Sequence, residues 1–160
     1  MSEQINKKFL ASLLIFIFAI LISAFIIEYK FNHKPCNLCL YERIPYFLAI
    51  LLIIKIFLIK KYQKITFLML FLVFFFSSIL AFYHFGIEQG FFEESITCAT
   101  GDLTNTLSKE ELLILLKQSS ISCKNVSFKI LGLSLATINT IFSLILSAIF
   151  IRFYIKYEKN

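Results

Sequence analysis

Four long apolar stretches, each bounded by charged residues, divide the chain at about 9–27, 44–59, 65–85 and 130–151. A bilayer core of ~30 Å takes about 20 helical residues, so these stretches predict membrane-spanning helices. Pro45 falls in the first turn of the second stretch, where its missing N–H would have had no helical partner. The basic turn from Lys60 to Lys64 is short enough to return the third stretch antiparallel to the second. The predicted fold is an all-α membrane protein, a four-transmembrane-helix bundle in a single domain over 1–160, with outside loops at about 28–43 and 86–129. In the second loop, Ser108-Lys109-Glu110-Glu111 has the pattern of a capping box and opens the apolar run Leu112 to Lys117. That run predicts a short amphipathic helix lying on the membrane surface.

Composition agrees: 59% of residues are hydrophobic and the mean hydropathy is +0.82, which excludes an ordinary soluble domain. The net charge of +6 does not mark a nucleic-acid partner, because the lysines cap the apolar runs and form no basic face. They gather at the N-terminus, the 60–64 turn and the C-terminal tail, while most acids, including Glu28, Glu42, Glu88 and Asp102, fall on the other side. The positive-inside rule then places both termini in the cytoplasm and all four cysteines outside it. A cleaved signal peptide is disfavoured, since the first run is long for one and Ser23-Ala24-Phe25 is a poor cleavage site. Lys55 lies inside the second stretch but near Lys60 and Lys61, so it is read as snorkelling to the near surface. In the last stretch Gly132, Ala136 and Thr140, continued by Ser143 and Ser147, form a row of small residues suited to close helix packing.

Candidate chemistry lies between the first two stretches, in Lys34-Pro35-Cys36-Asn37-Leu38-Cys39-Leu40-Tyr41-Glu42-Arg43. A Cys-x-x-Cys pair near a helix N-terminus and a cation favours thiolate and disulfide exchange. If the segment is helical, Cys36, Cys39 and Arg43 share one face, and the guanidinium would stabilise a Cys39 thiolate. Four cysteines permit three pairings, of which Cys36–Cys39 with Cys98–Cys123 is the simplest. A zinc site fits poorly, because Cys98 and Cys123 stand too far apart in sequence for a close-spaced ligand pair; no metal is expected. A Cys-x-x-Cys disulfide closes too short a loop to stabilise much, which argues for exchange over stapling.

The decapeptide from Lys34 to Arg43 resembles the signature of the DsbB family of disulfide-forming membrane proteins. Tyr83-His84-Phe85-Gly86-Ile87-Glu88-Gln89-Gly90 is similar to the end of that family's third span, and Leu131 to Ala136 to the start of its fourth. The resemblance implies a thiol oxidoreductase of the bacterial inner membrane. A periplasmic DsbA-like partner of the thioredoxin fold would form a mixed disulfide with Cys98. Electrons would pass through Cys123 and Cys36 to the Cys36–Cys39 pair, and Cys39 would reduce ubiquinone, or menaquinone, beside Arg43. It also implies that His84 contacts the quinone. Glu88, one turn on, is placed either to orient His84 or to face solvent, and His33 is read as loop. Two other classes match less well. Vitamin K epoxide reductase-like proteins carry the quinone-proximal Cys-x-x-Cys in a late span, and a disulfide-stapled tetraspanin-like scaffold would show Cys-Cys-Gly in its large loop.

Overall fold

The computed structural model describes residues 7–32, 35–59, 62–93, 123, 129–130 and 132–158. Cys98, His33, Lys34 and the predicted surface helix at 112–117 lie outside the described residues. The apolar runs fold as helices: α1 over Lys7–Lys30, α3 over Ile44–Leu58, α4 over Gln63–Glu88 and α5 over Leu135–Glu158, with a single-turn α2 over Asn37–Tyr41. Among the described residues three helices, α1, α4 and α5, are long and apolar enough to cross a membrane. The second predicted stretch forms α3, whose 15 residues reach only about 22 Å at 1.5 Å per residue. Pro45 sits in its first turn as the sequence predicts.

The start of the last helix needs correction. Residues expected to open it at Ile130 instead form a minimal antiparallel pair, β1 (Lys129–Ile130) against β2 (Leu133–Ser134). Gly132 between them has φ +83°, a left-handed conformation that most side chains resist. It therefore belongs to the turn, and the small-residue row starts at Ala136. From there the row is buried: Ala136, Ser143 and Ser147 face the interior, and Ser143 meets Ser77 of α4 at 3.2 Å. Small side chains on both helices let their backbones approach.

A core of Ile17, Ile53, Phe67, Leu70, Phe74, Leu146 and Phe150 joins α1, α3, α4 and α5. Ile15, Phe18, Leu51, Phe76 and Leu144 point outward, the arrangement a helix bundle adopts in lipid. At the far end of α4 the chain doubles back. Gly90, with φ +77°, donates to the Ile87 carbonyl at 3.0 Å, and Phe91 to Gly86 at 2.8 Å, the two bonds of a Schellman stop. The Phe92 ring then lies over Gly86, where a Cβ would come within 2.1 Å of it. This turn ends α4 just beyond His84.

Candidate redox site

Cys36 caps the N-terminus of α2, and its sulfur accepts from the Cys39 backbone N–H at 3.4 Å. The two thiols are unbonded and their sulfurs stand 2.9 Å apart, the geometry of one sulfur donating to the other. His84, one turn from the end of α4, comes in from the side: its Nε2 is 3.5 Å from Cys36 Sγ and its Nδ1 is 2.7 Å from Glu42 Oε1. The other carboxylate oxygen of Glu42 accepts from Asn139 Nδ2 at 2.6 Å. Asn139 Oδ1 in turn accepts from the Tyr46 hydroxyl. In this chain of polar groups, drawn from α2, α3, α4 and α5, Cys36, Glu42, Tyr46 and His84 are buried and Asn139 is half-buried, where unpaired polar atoms are costly and paired ones fix a unique arrangement.

The expected single helical face does not form. The chain turns at Glu42 and Arg43, between the end of α2 and the start of α3. The Arg43 guanidinium reaches α1, pairing with Glu28 at 2.5 Å and lying 5.0 Å over the Phe25 ring. The thiol asymmetry consequently differs from the sequence reading. Hydrogen bonding from the Cys39 side chain, helped by His84 and opposed by burial, brings Cys36 down to about 4. Cys39 goes up, because it holds the proton shared with Cys36, is buried, and feels the negative charges of Cys36 and Glu42. In the reduced pair these surroundings favour the thiolate on Cys36.

The two cysteines also face different surroundings. Cys36 is packed with Leu38, Ile87 and Cys123 in a buried cluster, and Cys123 is itself disulfide-bonded. Cys39 packs against the same cluster from its edge and in addition lines a cavity of about 420 Å³ between α1 and α5, together with Arg43, His84, Glu42 and Tyr46. The rest of its wall is mostly apolar, with Phe16, Ile20, Ala24 and Phe142 among the lining. The thiols and His84 present three donor atoms within 4.8 Å of one another. Two Zn–S bonds of ~2.3 Å at the tetrahedral angle would hold the sulfurs about 3.8 Å apart, so the 2.9 Å contact suits a redox pair better than a metal centre.

A family model described as disulfide bond formation protein DsbB matches residues 6–153. The chain belongs to the DsbB family. An uncharacterised protein of Rickettsia prowazekii (strain Madrid E) is 32% identical to it over 140 residues, covering 86% of this chain and 81% of the relative. DsbB membership brings thiol oxidoreductase chemistry in membrane disulfide-bond formation, and the close approach of Cys36 and Cys39 fits it. Sequence reasoning passed over Glu42, Asn139, Tyr46 and Glu28. Asn139 carried a usable signal, as an amide within an apolar helix is a site candidate by default. Glu42 sat inside the decapeptide itself.

Proposed function

We propose that this DsbB-family chain is an inner-membrane protein-disulfide oxidoreductase that reoxidises a periplasmic DsbA-like thiol oxidase and passes the electrons through two cysteine pairs to a membrane quinone. In this reading α3 is a fourth, shorter span, both termini are cytoplasmic, and Cys98 receives the partner. The observation that carries it is the division of labour in the Cys-x-x-Cys pair: Cys36 is buried beside Cys123, and Cys39 opens on the cavity.

The cavity suits a quinone, with an apolar body for rings and isoprenoid chain and a polar end at Arg43, His84 and Cys39. When bound, a quinone supplies a two-electron, two-proton sink. The chain's own residues arrange the rest. Cys36 is placed for exchange with Cys123, since thiol–disulfide exchange needs sulfurs brought into contact. Cys39 carries the proton of the reduced pair at the cavity wall. Arg43, anchored by Glu28, fixes a positive charge at the polar end, and the apolar wall excludes water.

The test is anaerobic mixing of purified protein, ubiquinone or menaquinone, and a reduced thioredoxin-fold donor. One quinone reduced per donor dithiol, followed by loss of quinone absorbance, is expected; no bleaching with either quinone overturns the reading. Labelling of reduced Cys98 and Cys123 by a membrane-impermeant thiol reagent in spheroplasts checks the topology, and protection of both rejects it.

A further inference from the structure

The Cys36–His84 contact continues to a carboxylate whose two oxygens are both engaged. Glu42 Oε1 meets His84 Nδ1 at 2.7 Å, and Oε2 accepts from Asn139 at 2.6 Å. The amide of Asn139 cannot flip without losing a bond, because its oxygen accepts from Tyr46. The side chains of His84 and Glu42 retain 3% and 9% of their exposure, so water does little to solvate either. The groups that face the imidazole are Cys36, Glu42 and Glu88, whose Oε1 is 3.8 Å from Nε2 and whose other oxygen has no partner. All three are acids. The neighbouring cation, Arg43, is committed to Glu28. A buried carboxylate needs a positive partner, and among these groups the imidazole alone can become one.

We propose that Glu42 is a positioning residue for the redox pair: anchored by Asn139, it holds His84 as an imidazolium with Nε2–H aimed at Cys36, so that the reduced pair rests as a Cys36 thiolate beside a Cys39 thiol. This rests on the reading in which the Cys-x-x-Cys pair carries electrons. The step balances as follows. The Cys98 and Cys123 thiols give up two electrons and two protons as their disulfide forms, and the Cys36–Cys39 bond breaks. One proton ends on Cys39 Sγ, the other leaves to water, and the remaining negative charge rests on Cys36 against the imidazolium. Glu42 touches neither sulfur: it acts on Cys36 through His84, and its charge also disfavours ionisation of Cys39.

The experiment uses full-length protein in its quinone-free dithiol form. Thiolate ultraviolet absorbance is followed against pH in wild type, Glu42→Gln and Glu42→Asp, with an intact Cys123 disulfide as the check on folding in an otherwise identical sample before reduction. The glutamine variant keeps the shape but loses the charge, and its thiolate midpoint is expected to rise by at least one pH unit, a ~10-fold smaller thiolate-to-thiol ratio at a given pH. Glu42→Asp restores part of the shift. An unchanged midpoint in folded Glu42→Gln overturns the proposal. Should that variant not fold, nitrogen-15 shifts of His84 in wild type decide: both ring nitrogens protonated at neutral pH supports it, and a neutral tautomer overturns it. A wild type that reduces quinone while Glu42→Gln titrates normally sinks this inference alone. A wild type that reduces no quinone sinks the proposed function and leaves the titration standing.

Discussion

The two ends of the bundle are built on opposite principles. At one end Phe67, Leu70, Phe74 and Phe150 are wholly buried, and the rings contact one another, with Phe74 stacked on Phe150 at 5.7 Å. At the other, Cys36, Glu42, His84, Asn139 and Tyr46 fill the interior with hydrogen bonds. Lipid tails are as apolar as leucine, so inside a membrane the ring-packed end gains stability from dispersion and fit more than from leaving water. The polar end is held by pairing, and deleting one member leaves a buried charge or dipole unsatisfied. Shape can therefore be altered at the first end without touching the chemistry, whereas at the second the two are the same atoms. Phe74 links them, since its ring also meets Tyr46 edge-on at 5.6 Å.

The largest contrast comes from two substitutions at opposite ends. Cys39→Ser removes the sulfur at the cavity wall and is expected to lower donor-to-quinone turnover by ~10³-fold or more, as loss of a reacting nucleophile does. Resistance to unfolding in mixed micelles should stay near wild type. Phe67→Ala, in contact with Phe153 and remote from the thiols, is expected to cost about 3 kcal/mol of stability through the cavity it leaves. Its turnover per folded molecule should stay within about twofold of wild type. A Phe67→Ala protein that folds normally but turns over slowly would show the two ends to be coupled.

What was legible in the sequence follows the same division. The ring-packed end is built from long apolar runs, and the helices appear where those runs are, with Pro45 marking a start. The decapeptide likewise resembles the DsbB signature by itself, and the family match over residues 6–153 agrees. The polar pairings were hidden because Glu42 and Asn139 are 97 residues apart, and such partners meet only when α2 and α5 are packed. The Glu28 partner of Arg43 was hidden for a related reason. A face drawn on an unbroken helix through Cys36, Cys39 and Arg43 ignored the turn at Glu42, which swings the guanidinium to Glu28. At Gly132 the apolar pattern continued smoothly through a glycine that in fact makes a turn.

A smaller effect tests whether Arg43 needs its anchor. Glu28 receives the guanidinium at 2.5 Å, with both side chains mostly buried. In Glu28→Gln the guanidinium keeps a hydrogen-bond acceptor but loses the opposing charge that orients it. The apparent KM for quinone is expected to rise ~10-fold with kcat little changed, a loss of about 1.4 kcal/mol in uniform binding. A fall in kcat at constant KM would instead place the pair in the electron-transfer step itself.

The finest distinction is electrochemical. Cys36 is held well below the ordinary thiol range, down to about 4, and Cys39 is pushed above that range. From about pH 4 up to that range, reduction of the disulfide therefore consumes one proton for two electrons, which leaves Cys36 charged. Protons are reactants, so the midpoint potential falls as pH rises, by ~30 mV per unit for one proton and ~59 mV for two. A depressed thiol favours the dithiol form most above the ordinary thiol value of ~8.5, and that advantage shrinks as pH falls, vanishing below the depressed value. Redox titration of the quinone-free protein between pH 6 and 8 should give the shallower slope, and Glu42→Gln should move the break to the steeper slope, near pH 4 in wild type, to higher pH. A wild-type slope near ~59 mV per unit would mean that Cys36 is protonated when reduced, and the polar end would then be a set of neutral hydrogen bonds, no different in kind from the serine contacts between α4 and α5.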